Sequence, residues 1–348
     1  MIQYNFRIGN SVSFKLVTII PFGYNKFEQK RAKNETSSSY KIKACLIFVE
    51  WESTKMILRT ILKIIKPFQL VSLVFSYLLG GGLVQYVREM RSWPVFVQGG
   101  VLLILVHLSL ECLRLLQRLA VPRNWPDRMS LKEARLVRLL STILAATLLT
   151  VATTIFITWM RTGVVWQGLM ILIIAVLTVG GLYYFSQAIE ALMRFELLIE
   201  VVFFIVIPPA LAYFLQSNDL NRLLTMVVIA LVPGYLTNRL LALLKRFGSD
   251  HTSGVATIVI IMGWENTMLL HNALILLTYL LFALIALLGF PWFLIWPVFL
   301  SLPIGLLEIW LMERVKRGMK PLWGIMQFAT ACVLWIPMYL IGFAFWIR

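Results

Sequence analysis

Nine stretches of about twenty apolar residues run through this chain, and each is long enough to cross a bilayer as a helix. A helix rises about 1.5 Å per residue, and the hydrocarbon core of a membrane is about 30 Å thick. The stretches lie at 67–87, 94–116, 139–160, 163–185, 197–216, 223–244, 268–289, 291–312 and 325–346. No single globular core can hide that much apolar surface. Composition agrees: 60% of the 348 residues are hydrophobic, 14% are charged, and the mean hydropathy is +0.84. Soluble chains run at about 45–50% and about 25%. Such apolar content also excludes a disordered chain. The expected class is an all-α integral membrane protein with nine transmembrane helices. Internal Pro208-Pro209, Pro233-Gly234 and Pro303 fit helices whose neighbours re-satisfy the backbone. Gly80-Gly81-Gly82 lies inside an apolar stretch with no strand before it, so it reads as a close helix contact and not as a nucleotide loop.

The formal charge of +16 would suggest a polyanion partner in a soluble protein. Here it is explained by topology. With the N-terminus inside, the N-terminal segment holds 12 Lys and Arg. Connections 2–3, 4–5, 6–7 and 8–9, with their flanking turns, hold 7, 1, 3 and 4. That places 27 of the 32 basic residues inside and 5 outside. Cytoplasmic segments carry such an excess, so the sequence predicts N-in, C-out placement in the cytoplasmic membrane, contact with membrane lipids and no nucleic-acid partner. Cys45, Cys112 and Cys332 are too dispersed for a disulfide framework or a zinc site. The 12 Trp and 11 Tyr are expected mostly at the membrane interfaces.

Residues 1–55 differ from the rest. They are polar around the Ser37-Ser38-Ser39 run, their apolar stretches are too short to span, and no signal peptide is readable. Two accounts stand: a poorly structured cytoplasmic extension, or a natural start at Met56 with the upstream part a start-site artefact. From Met56, Ile57, Leu58, Ile61, Leu62 and Ile65 recur at helical spacing between Arg59, Lys63 and Lys66. That pattern predicts an interfacial amphipathic helix leading into a membrane domain at 56–348.

Two longer connections, 116–138 and 245–267, are where function is expected. The second contains Asp250, Gly254, Thr257, Ile258, Ile260, Met262 and Gly263. This register resembles the second motif of the UbiA superfamily of intramembrane prenyltransferases, D-x-x-x-D-x-x-x-G-K-x-T-L-x-V-x-L-G. Its first aspartate corresponds to Arg246 and its lysine to Val255. The first long connection supplies Pro122-Arg123-Asn124-Trp125-Pro126 and Ser130-Leu131-Lys132-Glu133, similar to the family's arginine-proline stretch and following helix start. Ser130 and Glu133 also form a capping box in their own right. The family's first Asp-rich motif is missing: no acid stands between Glu111 and Asp127, and Arg114, Gln117 and Arg118 occupy that segment. Arg194-Phe195-Glu196 is a short echo of the family's Gly-x-Gly-Glu.

The resemblance spans 56–348. It implies nine helices around a central lipid-facing cavity, and transfer of a prenyl group from an isoprenyl diphosphate to an aromatic or lipid acceptor. It also implies Mg²⁺ held by two Asp-rich motifs, gripping the diphosphate. Magnesium wants carboxylates and phosphate oxygens. Asp250 is the one family ligand retained. A unit charge at about 6 Å and an effective dielectric of about 20 is worth roughly 3 kcal/mol, so Arg246 would repel a divalent ion by about twice that. Guanidinium groups can instead hold a diphosphate directly, and Arg114, Arg118, Arg123, Lys245 and Arg246 are the candidates. The same basic residues also fit plain topology signals. Glu196 and Glu200, four apart on one helix face, are candidate cavity acids. They can form a metal pair, or Glu196 can be interfacial and Glu200 interior. A charged side chain inside a span costs about 2.5–3.5 kcal/mol on the lenient scale, so each should have a partner or a cavity, as should Glu308. His107 and His271, far from any second histidine, read as satisfied core residues.

Three functions remain: a UbiA-like prenyltransferase with altered metal use, a non-catalytic homologue that binds an isoprenoid or prenyl lipid, and a polytopic transporter. An odd helix count, no readable repeat between halves and the second-loop register disfavour the transporter.

Overall fold

The structure is a computed structural model that describes residues 2–7, 13–18, 66–88, 90–120, 131–162, 166–185, 195–217, 221–253 and 257–347. The chain divides into two units, Met1–Ile61 and Leu62–Arg348. Within the first, β1 (Ile2–Arg7) pairs antiparallel with β2 (Ser13–Thr18). The extension expected to be poorly structured therefore contains a small hairpin. Its signal is the alternation that sets Tyr4 opposite Leu16 and Phe6 opposite Phe14 on one face. The amphipathic helix expected from Met56 lies outside the described residues.

The second unit is helical throughout its described residues. Its helices are α1 (Pro67–Val87), α2 (Trp93–Ala120), α3 (Leu131–Thr162) and α4 (Trp166–Phe185). The fifth span is composite: α5 (Glu196–Val201), one π turn (Val202–Val206) and α6 (Ile207–Ser217). Then come α7 (Arg222–Ser253), the short α8 (Ile258–Met262) and α9 (Trp264–Leu287). The eighth span joins α10 (Trp292–Ile295), a 3-10 segment (Trp296–Ser301) and α11 (Leu302–Lys316), and α12 (Trp323–Ile347) is the last. Among the described residues, eight helices are long and apolar enough to cross a membrane. The twenty-residue α4 stands where the fourth of the nine apolar stretches was expected. The protein is an integral, multi-pass membrane protein. Outward side chains such as Leu287, 84% exposed, and Phe328, 71% exposed, would be a liability in water and suit lipid.

The interior irregularities have local causes. Pro209 has no N–H to give the Ile205 carbonyl, and Ser76 of α1 supplies the missing donor at 3.1 Å. The π turn lies just before this proline pair. Gly80 sits on Pro209 so closely that an added Cβ would lie 2.6 Å from its Cα. Spans 1 and 5 therefore cross at backbone distance. Span 1 also packs along α12, where Trp335 donates its indole N–H to Ser72 at 3.1 Å. At the far end of α12, Trp346 stacks on Trp93, the first residue of α2, with centroids 5.5 Å apart.

Helices run past the apolar stretches where polar residues allow it. α2 continues to Ala120 and α7 to Ser253, so the segment expected as the 6–7 loop is largely helix. Gly263, the last residue of the motif-like register, has φ of 81°, a left-handed value that glycine adopts without strain. It ends α8 and starts α9.

Candidate functional site at the basic end

The end of the bundle that holds connections 2–3, 4–5, 6–7 and 8–9 is called the basic end here. Its interior is polar. Lys66 begins the site with φ of 42°, the one positive value at a non-glycine among the described residues. A left-handed L-residue costs about 1–2 kcal/mol, and Pro67 disfavours the right-handed helical alternative at this position. The bend brings Lys66 Nζ to 2.8 Å from Glu111 Oε1 of α2. Enclosure pulls the Lys66 amine down to about 8, with Glu111 opposing that shift and Arg114 adding to it.

Tyr183 of α4 joins the pair. Its hydroxyl gives its proton to Glu111 and accepts from Lys66 Nζ at 3.1 Å. Gln69 Oε1 lies 3.2 Å from the same hydroxyl. Gln69 Nε2 in turn donates to Glu200 Oε1 at 3.0 Å. Arg239 of α7 grips Glu200 with two donors, Nε to Oε2 and Nη2 to Oε1, the latter at 2.8 Å. Glu200 is fully buried, while the Arg239 side chain is 17% exposed. Arg114 of α2 donates from Nε and Nη2 to the Tyr183 carbonyl at 3.0 and 2.7 Å, and from Nη2 to Glu196 Oε1 at 3.1 Å. Its guanidinium carbon sits 3.4 Å over the centre of the Tyr183 ring.

Three cations, Lys66, Arg114 and Arg239, thus face three acids, Glu111, Glu196 and Glu200. Each acid has a cation, which is how a charge is tolerated away from water. Five spans meet here.

The sequence candidates fall on both sides of this picture. Arg114 turns inward and is 1% exposed, held by Glu196 and the Tyr183 carbonyl. Lys245 and Arg246 are exposed on the last turns of α7, and Lys245 Nζ donates to Gln327 Oε1 at 3.2 Å. Asp250 follows one turn later, half-buried. Arg118 lies on α2, but its side chain is outside the description. Arg123, the Pro122–Pro126 stretch, Ser130, Arg194 and Gly254 lie outside the described residues. Glu196 and Glu200 turn to different arginines, Glu196 partly exposed and Glu200 interior. Glu308, expected to face a cavity or find a partner, is fully buried with His271 Nε2 3.7 Å from its Oε1. His107 is buried edge-on to Phe204.

Lys66, Gln69, Glu111, Tyr183 and Arg239 were not picked out as site residues in the sequence. The available signal was that Glu111 and Arg239 are ionisable residues at the ends of apolar stretches, a position that calls for a partner. Counting Arg239 as a topology residue concealed its internal partner, Glu200.

These residues do not fit Mg²⁺. The three acids each hold a cation, and Arg246 precedes Asp250 by one turn on α7. Among the described residues no three His, Cys, Asp or Glu side chains come together as a metal site. A separate recess of about 580 Å³ between spans 7 and 8, lined by Leu276, Leu277, Leu280 and Phe299, is almost wholly apolar.

No family model and no curated protein matches the chain. Solved structures to which it is similar include the apo structure of a UbiA homolog from Aeropyrum pernix K1, at 14% identity and TM-score 0.47, covering 79% of this chain and 96% of that one. They also include a UbiA homolog from Archaeoglobus fulgidus bound to GPP and Mg²⁺, at 14% identity and TM-score 0.44, covering 82% of this chain and 99% of that one.

Proposed function

We propose that this chain is a UbiA-like membrane protein that binds an isoprenyl diphosphate at its basic end, through guanidinium groups in place of Mg²⁺. The basic end and the N-terminus face the cytoplasm. The observation that carries this reading is one face of α7. At 100° per residue, Tyr235, Arg239, Arg246 and Asp250 fall within an arc of about 60°. The face runs from the buried pair with Glu200 out to the exposed end of the helix. It then enters the Asp250–Gly263 register that resembles the family's second motif.

A guanidinium offers planar paired donors to phosphate oxygens, and Arg239 and Arg246 lie two turns apart on this face. Lys245 adds a mobile point charge beside them. The prenyl tail would lie among the apolar spans or against lipid. Magnesium-assisted ionisation is not what these residues support, because a divalent ion would meet Arg246 where the family keeps an aspartate. Binding of an isoprenyl diphosphate or related prenyl lipid is the function; prenyl transfer in the family's manner is not.

Equilibrium binding of a labelled isoprenyl diphosphate to the protein in lipid nanodiscs tests this. Affinity in excess EDTA should match that in millimolar Mg²⁺ to within about threefold. Loss of binding on chelation, or Mg²⁺-dependent release of pyrophosphate, would refute it.

A further inference from the structure

Arg239 already has an anion. Glu200 is fully buried behind it and takes two of its donors, and Gln69 fixes the carboxylate from the other side. The Arg239 side chain keeps some exposure, while the Glu200 carboxylate keeps none. The pair is electrically near neutral. Glu111 stands in the same relation to Lys66.

We infer that Glu200 is a built-in competitor for phosphate: its carboxylate occupies Arg239 and lowers the protein's affinity for the diphosphate head group. This rests on the reading that the basic end takes an isoprenyl diphosphate. Carboxylate and phosphate oxygens want the same donors on the same planar fork. A phosphate that reaches Arg239 must either displace Glu200 or accept a guanidinium whose charge is already compensated. A buried carboxylate that has lost its cation is costly, so displacement is resisted and the bound ligand is released readily. A tethered anion of this kind makes binding weak and reversible, as suits a protein that presents or hands on a prenyl diphosphate. The three acids also supply the counter-charge without which three cations would not tolerate this interior.

The test uses Glu200→Gln, which keeps the shape and an acceptor oxygen for Arg239 and removes the charge. Binding of inorganic pyrophosphate and of a labelled isoprenyl diphosphate is measured in nanodiscs in EDTA, for wild type, Glu200→Gln and Glu200→Gln/Arg239→Gln. At least tenfold tighter binding is expected in the single variant, with the gain lost in the double variant. Wild type and Glu200→Gln binding isoprenyl diphosphate equally, or the variant more weakly, overturns the competitor role and leaves the binding function standing. If neither binds while both melt as folded proteins, the binding function falls and the competitor role with it. Should Glu200→Gln fail to fold, Glu111→Gln carries the same test at Lys66, which keeps the Tyr183 hydroxyl as an anchor. No gain in that variant also overturns the role.

Discussion

Replacing Arg239 by leucine is expected to destabilise the membrane domain by about 3–5 kcal/mol, the usual result of removing one partner of a buried ion pair. The leucine leaves Glu200 fully buried, with the Gln69 amide still donating to it. Most of the loss comes from the stranded carboxylate and little from the lost attraction. The double variant Glu200→Leu/Arg239→Leu should therefore recover most of the stability, because no charge is left to strand. Thermal or denaturant unfolding in detergent measures all three proteins. A double variant no more stable than Arg239→Leu would mean that the pair contributes net stability instead of cancelling its own desolvation cost.

The second large effect is on binding. Arg246→Asp reverses a unit charge beside the proposed diphosphate site. At about 6 Å and an effective dielectric of about 20 each unit charge is worth roughly 3 kcal/mol, so reversal has an upper limit near twice that. Arg246 is exposed on α7, and solvent and salt screen such a group, so the expected net loss is about half the limit. That corresponds to roughly 100-fold weaker isoprenyl diphosphate binding in EDTA, since every 1.4 kcal/mol is tenfold. Arg246 is exposed, so the effect on stability should be small beside the effect on binding. Binding unchanged by the reversal would remove α7 from the site. A loss that high salt leaves undiminished would point to a packing effect and not to charge.

The spans were legible because hydropathy depends on composition over twenty residues and tolerates error in any one of them. Their ends were less so. Apolar stretches mark the part of a helix that must avoid water, whereas α7 continues through Lys245, Arg246 and Asp250 to Ser253 because nothing in that polar sequence stops a helix. Gly80 was readable as a packing glycine, but not its contact with Pro209, which depends on a crossing between spans 1 and 5.

The candidate site was legible in part. Glu200 as an interior acid followed from the cost of a charge in a span. Its partner did not, because Arg239 lies 39 positions away and had been assigned to the basic side by counting. The Lys66, Glu111 and Tyr183 cluster draws on spans 1, 2 and 4, and no spacing rule within one helix connects them. Arg114 shows the opposite case. It was read as a phosphate donor from its place near the missing Asp-rich motif, and the fold turns it inward onto Glu196 and the Tyr183 carbonyl.

The central claim is that internal cations stand at the basic end where the resembling family keeps a metal centre. The most direct measurement is an experimental structure obtained with Mn²⁺ and an isoprenyl diphosphate, with the metal located by anomalous scattering. The expected result is Arg239 bonded to Glu200 or released to the ligand, and no manganese within coordinating distance of Glu111, Glu196, Glu200 or Asp250. A manganese ion bridging any of these carboxylates and the diphosphate would contradict it.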